Sequence, residues 1–282
     1  MSGTQVHTPG IVAVETVDVR GQRLRVSRQG TPLPGTPPLL LVNGIGATAD
    51  LFEPFRSVIA ALDGRETIAF DAPGVGGSPV PFYPPTMRGL AATVAGLIRT
   101  LGFEQADVLG LSWGGALTQE LAYRHPDAVR RVVLAATMHG WTSTPGRPTA
   151  VATLMTPARY YSTRYLEAIA PTLYGREILQ HSELLRRHAQ IRVARPPSPV
   201  GYVYQLAALR RWTSLPWLHR LRQPTLVLAG DDDPIIPLAN MACMAGLIPQ
   251  SQLVVVAGGG HLFLYLRAQD MAARVLQFLA AD

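Results

Sequence analysis

Apolar and polar positions alternate along residues 11–30, on either side of Arg20-Gly21-Gln22. That period of two predicts an antiparallel hairpin. After the stiff linker "TPLPGTPP" the pattern changes, and short apolar runs take turns with helical periodicities. Strands are predicted at 39–42, 67–70, 107–111, 132–136, 225–229 and 253–257, with helices near 51–62, 90–101 and 116–123, the last with Leu117 and Leu121 on one face. Strands separated by helices specify a doubly wound, mainly parallel α/β sheet. Between Met138 and Arg222 the alternation stops. This stretch holds "TPGRPT", "RPPSPVG" and several helix-like pieces, and it reads as a helical lid inserted between two sheet strands. The expected organisation is a core over 1–137, the lid over 138–222, and the rest of the core over 223–282.

Ligands of such sheets sit beyond the carboxyl ends of the strands, so chemistry is sought there. "GLSWG" places Ser112 where a buried strand becomes a helix, with Gly110 and Gly114 two residues to either side. Any Cβ at those glycines would collide as the strand and helix legs converge. The serine is pushed outward with N–H groups aimed toward it, the geometry of a G-x-S-x-G nucleophile elbow. A hydroxyl needs a base, and the base needs an orienting acid. Among seven histidines, His261 follows three glycines directly after a strand, so its loop is free to deliver an imidazole. His7 lies in an N-terminus expected to be loose, His125 precedes Pro126 at a helix end, and His181, His188 and His219 sit among arginines on helices. His139, after the strand 132–136, is expected to line the pocket.

"TLVLAGDDDPIIP" supplies the acid. Asp233, braced by Pro234 and Pro237, is the first choice and Asp232 the alternative. The position after the preceding strand, in "VVLAATMHG", has no carboxylate, and the chain order Ser, Asp, His is that of an α/β-hydrolase. Three adjacent aspartates also suggest a hard cation, but consecutive side chains diverge and no second acidic cluster completes a shell. Neither metal nor cofactor is expected. Oxyanion donors are expected from the N–H groups of Trp113 and of Ile45, in the turn Asn43-Gly44-Ile45-Gly46 after strand 39–42. Asn43 reads as a residue that holds this turn with its side chain. Asp71, opening "DAPGVGGS", reads as support for the pocket, and a phosphate loop is disfavoured because no Walker lysine follows. Trp141, in the lid, is expected against the substrate.

Composition refines the picture. The chain has 282 residues, enough for one large core, and no apolar run approaches the ~20 residues of a membrane span. "MSGTQVHTPG" lacks a basic n-region and an apolar h-region, so a cytoplasmic location is expected. One cysteine, Cys243, excludes an internal disulfide and is expected to pack in the core. The net charge is +6, yet residues 139–220 alone carry eleven Arg against three Asp or Glu. In a chain without lysine this reads first as a solvated face. The alternative is an interface with acidic groups, such as a polymer granule coat or acyl chains ending in carboxylate. No nucleic-acid motif accompanies the charge. Nine of the twenty aromatic Phe, Trp and Tyr residues fall in the same window, which favours an apolar substrate.

The chain resembles the intracellular medium-chain-length poly(3-hydroxyalkanoate) depolymerases of the α/β-hydrolase superfamily. The likeness rests on "NGIGA", "FDAPGVGGS", "GLSWGGALTQELA", "WTSLPWLHRLRQPTLVLAGDDDPIIPLANM", "GGGHLFL" and, in the lid, "APTLYG". It implies a triad of Ser112, Asp233 and His261, a polyester of 3-hydroxy acids as substrate, and a granule surface as partner. A small-molecule esterase or lactonase would share every one of those residues, and a non-catalytic binding protein can inherit the fold and even the triad. A dehalogenase or epoxide hydrolase would need a carboxylate in place of Ser112.

Overall fold

The computed structural model describes residues 12–281; His7 and Ile11 lie outside them. Strands β1 (Ala13–Val19) and β2 (Gln22–Gln29) form the hairpin, paired antiparallel from Ala13 against Arg28 to Val19 against Gln22. Its two-residue turn places Arg20 at φ 53° and Gly21 at φ 78°, the doubly positive φ that matches the twist of the flanking strands.

The remaining strands are β3 (Leu39–Val42), β4 (Thr67–Phe70), β5 (Ala106–Leu111), β6 (Val129–Ala135), β7 (Thr225–Gly230) and β8 (Ser251–Val256). They complete an eight-stranded sheet in the order β1-β2-β4-β3-β5-β6-β7-β8, parallel from β4 to β8 and antiparallel on either side of β2. Beside them lie the core helices α1 (Glu53–Leu62), α2 (Met87–Thr100) and α3 (Trp113–Arg124). Between β6 and β7 stand α4 (Pro148–Leu154), α5 (Thr163–Tyr174), α6 (Ser182–Ala194) and α7 (Pro199–Leu209). The chain ends with α8 (Leu238–Leu247), α9 (Phe263–Leu266) and α10 (Ala268–Ala280). This is the expected doubly wound architecture.

Period-two alternation divides the core. In β3, Leu40 and Val42 face a cluster with Leu90 and Val94 of α2 and Leu117 and Leu121 of α3. Leu39 and Leu41 face the other side, with Phe55 and Ile59 of α1 and Val275 of α10. Strands buried on both faces carry unbroken apolar runs for this reason. Truncating one such leucine to alanine costs about 2–5 kcal/mol.

Residues between β6 and β7 leave and re-enter the core through a narrow neck, where Gly140 and Thr213 form an antiparallel bridge. Several of this insert's arginines pair with carboxylates of the core. Arg187 pairs with Glu53 at 2.6 Å, Arg195 with Asp50 at 2.9 Å, and Arg147 with Asp232 at 3.2 Å.

Cys243 corrects the expectation of core packing, because it is exposed. The buried side of α8 is Asn240, Met241 and Met244, which leaves Cys243 on the outward face.

Candidate active site

Ser112 sits between β5 and α3 at φ 55°, ψ −119°, a conformation that L residues adopt only when their surroundings enforce it. The surroundings here are backbone. A Cβ on Gly114 would lie 2.1 Å from the carbonyl oxygen of Val42, and one on Gly110 2.5 Å from that of Gly114. Ser112 N–H donates to Ala135 of β6 at 2.9 Å, and its carbonyl accepts from the Thr137 hydroxyl at 2.6 Å. The turn is therefore tied to its neighbours on both sides.

His261 follows β8, held by its own N–H donating to the carbonyl of Tyr174 at 2.9 Å. Its Nδ1 lies 2.7 Å from Asp233 Oδ2, and both side chains are buried. Asp233 is itself fixed, since its Oδ1 accepts the N–H groups of Ile235 at 2.8 Å and Ile236 at 3.0 Å. A carboxylate held in this way keeps the imidazole proton on Nδ1 and leaves Nε2 free as a base. Asp232 points elsewhere. It accepts from the Arg176 N–H and from Arg147, and the Arg176 backbone bond holds its carboxyl below the usual range.

The turn after β3 adjoins the serine: a Cβ on Gly44 would lie 3.4 Å from Ser112 Cβ. Asn43 braces it, with Nδ2 donating to Thr48 O at 2.7 Å and Oδ1 accepting Gly44 N–H at 2.8 Å. Gly46 N–H donates to Gln205 Oε1 at 2.7 Å, and the Tyr160 hydroxyl donates to the carbonyl of Ile45. Among the described residues, the N–H groups of Ile45 and Trp113 donate to nothing. Trp113 is anchored through its indole Nε1, which donates to Gln205 O at 3.0 Å.

Ser112, Ile45, Trp113 and Trp141 line a cavity of about 600 Å³, together with Met138, Leu206 and Ile235. Trp141, Met155 and Val203 line it too, yet stay more than half exposed, so they stand at its mouth. The lining is overwhelmingly apolar, as for sites that bind apolar ligands.

Asp71 is fully buried outside this cavity. It accepts Ala49 N–H at 2.7 Å and Gly77 N–H at 2.9 Å, so it ties together the loops behind the site, while burial pushes its carboxyl up. His139 corrects the expectation of pocket lining. Met138 and Gly140 line the cavity, whereas the buried His139 ring turns to Thr142 Oγ1 at 3.1 Å, because its backbone carbonyl is held by Thr213 and Ser214. Sequence reasoning missed Gln205 and foresaw no specific contact for Tyr160 or the buried His188; aromatic and polar residues in an insert carry no periodic signal for such contacts.

The family described as "alpha/beta hydrolase fold" matches residues 37–268. A poly(3-hydroxyalkanoate) depolymerase of Ectopseudomonas oleovorans is 44% identical over 271 residues, covering 95% of this chain and 92% of that protein. A 2-hydroxymuconate semialdehyde hydrolase of Pseudomonas putida is 31% identical over 272 residues, covering 92% of each. The crystal structure of a hydrolase from Pseudomonas aeruginosa PA01 superposes with a TM-score of 0.80 at 26% identity, covering 95% of this chain and 98% of that one. With the family model spanning residues 37–268 and a relative 44% identical over 95% of this chain, the chain belongs to the alpha/beta hydrolase family.

Proposed function

We propose that the protein is a serine ester hydrolase that cleaves a polyester of medium-chain 3-hydroxy acids. The observations that carry this are the 2.7 Å His261–Asp233 pair and Ser112 in the wall of an apolar cavity of about 600 Å³. His261 takes the proton from Ser112, and Oγ attacks the ester carbonyl. The N–H groups of Ile45 and Trp113 hold the oxyanion, the largest single contribution in such sites. The protonated imidazole then gives its proton to the leaving alcohol. Water, activated by the same ring, releases the hydroxy acid from the acyl-enzyme. Asp233 fixes the tautomer and stabilises the imidazolium.

The polymer assignment draws on the 44% identical depolymerase and on the apolar, aromatic mouth of the cavity. Residues 138–222 act as a lid in this reading, and Trp141, Met155 and Val203 meet a hydrophobic granule in the cytoplasm. No described helix is long and apolar enough to cross a membrane.

The test is release of 3-hydroxy acids from amorphous medium-chain polyester, beside a p-nitrophenyl ester series, for wild type and Ser112→Ala. Polymer hydrolysis that disappears with the serine supports the assignment. Turnover of soluble esters alone keeps the triad and replaces the polymer with a small ester or lactone.

A further inference from the structure

Two arginines of the insert, Arg159 and Arg192, are buried and form no ion pair among the described residues. Each guanidinium carbon stands 4.7 Å from the centroid of the same ring, that of Tyr160. Tyr202 lies 5.3 Å from Arg159, and Tyr174 lies 5.8 Å from Arg192. Aromatic faces ease a cation but do not neutralise it. The acidic residue that follows α5, Glu177, is already committed to Arg267 at 2.5 Å and to Gly260 N–H. Buried charges of one sign without a counter-charge are costly, and an anion bound beside them would offset that cost.

The hydrogen-bond inventory points the same way. Arg192 Nε donates to His188 Nε2 at 2.7 Å, so the neutral ring carries its proton on Nδ1. That Nδ1, Arg192 Nη1 and the Tyr174 hydroxyl are all buried and unpartnered. All three can donate, and buried donors are rarely left unmatched. His188 and Arg192 line a small space of about 20 Å³, enough for one water-sized group such as a single carboxylate oxygen. Its other walls include Asn43, Leu111 and Leu262, so it abuts the residues next to Ser112 and His261. It shares no lining residue with the large apolar cavity.

We infer that this space is a carboxylate subsite, in which Arg192 and His188, backed by Arg159, receive the free carboxylate of an ester's terminal unit. The inference rests on Ser112 and His261 being the reacting pair. In a chain of 3-hydroxy acids the terminal carboxylate is two carbons from the ester oxygen, a short reach that suits a space walled by Leu111 and Leu262, the chain neighbours of Ser112 and His261. The apolar side chains then occupy the large cavity. The enzyme accordingly cleaves next to a carboxyl terminus, and its free acid product competes for the same place.

The test uses the intact wild-type protein with 3-hydroxyoctanoate, its methyl ester, acetate and chloride as probes, read by thermal shift and by inhibition of p-nitrophenyl ester hydrolysis. The acid is expected to bind roughly ten- to hundred-fold more tightly than its methyl ester, the worth of charge-assisted hydrogen bonds. In Arg192→Met and Arg159→Met variants that retain the wild-type circular dichroism spectrum, that ratio is expected to collapse. Acid and methyl ester binding within about twofold of each other in wild type would overturn the subsite. Acetate or chloride matching the acid would also overturn it, leaving a structural anion in place of a substrate carboxylate. Ser112→Ala separates the two readings: ester turnover surviving that change sinks the triad, whereas the thermal-shift comparison judges the subsite independently of turnover.

Discussion

The Gln205 side-chain oxygen accepts the N–H of Gly46 at 2.7 Å, joining residues 159 positions apart. The carbonyl of the same glutamine receives the Trp113 indole at 3.0 Å. One residue of α7 therefore grips both segments that carry the proposed oxyanion donors. Gln205→Leu is expected to lower kcat about tenfold with a smaller effect on KM, since donors loosened in this way matter most to the transition state. Gln205→Glu keeps an acceptor for Gly46 and is expected to recover most of the loss. Steady-state kinetics on a soluble ester check both, and an equal fall in the two variants would argue for a packing role instead.

Ser112→Ala is expected to reduce kcat by on the order of 10⁶ and Asp233→Asn by ~10⁴, with the melting temperature little changed. Asp232→Asn, the neighbouring substitution, is expected to leave kcat within a factor of about two, because that carboxylate serves Arg147 and Arg176. Single-turnover and steady-state rates for the three variants decide which aspartate works with His261.

Gly114→Ala adds a methyl group that would meet the carbonyl oxygens of Val42 at 2.1 Å and Asn43 at 2.6 Å. Backbone cannot step aside as a flexible side chain can, so a destabilisation of about 3 kcal/mol or more is expected, at the upper end for overpacking. Urea titration of the variant measures it. Normal stability would mean that β3 and α3 separate more easily than their contact implies.

Stability is expected to depend on pH through His188. Burial, followed by the charges of Arg192 and Arg159, holds its imidazole well below the ordinary 6.5. Tyr174 and Tyr265 also face the ring, at 5.5 Å and 5.1 Å between centroids. The unfolded chain takes up a proton here below about pH 6.5 and the folded chain does not, so stability present above that value is lost as pH falls. The loss amounts to about 1.4 kcal/mol per pH unit for one such group. His125 and His139 are also held down by burial, so the difference between wild type and His188→Gln isolates this ring. Thermal melts from pH 7 to 5 should converge for the two proteins on acidification; parallel curves would contradict the assignment.

The sheet and the elbow were legible because their causes are local. Alternation announces the hairpin, unbroken apolar runs announce β3 to β7, and glycines two residues from Ser112 announce a turn that leaves no room for Cβ. Asp233 and His261 were legible as residues leaving strand ends. What the sequence hid depends on tertiary contacts. Gln205, Tyr160 and Arg192 meet partners that only the folded insert brings near, and no periodicity marks an arginine stacked beside a tyrosine. Cys243 misled for a related reason: α8 is apolar nearly all round, so composition alone did not reveal which side faced water.

The neck formed by Gly140 and Thr213 invites comparison with a cassette, because insertions at closely spaced chain positions are tolerated well. Yet this cassette is tied by hydrogen bonds to the turn that carries a proposed oxyanion donor. A transplanted insert lacking counterparts of Tyr160 and Gln205 would leave the Ile45 carbonyl and the Gly46 N–H without their partners. New substrate preferences in this lineage are therefore expected from changes at cavity-lining residues around those two anchors, such as Trp141, Met155, Val203 and Leu206, rather than from wholesale exchange of the segment.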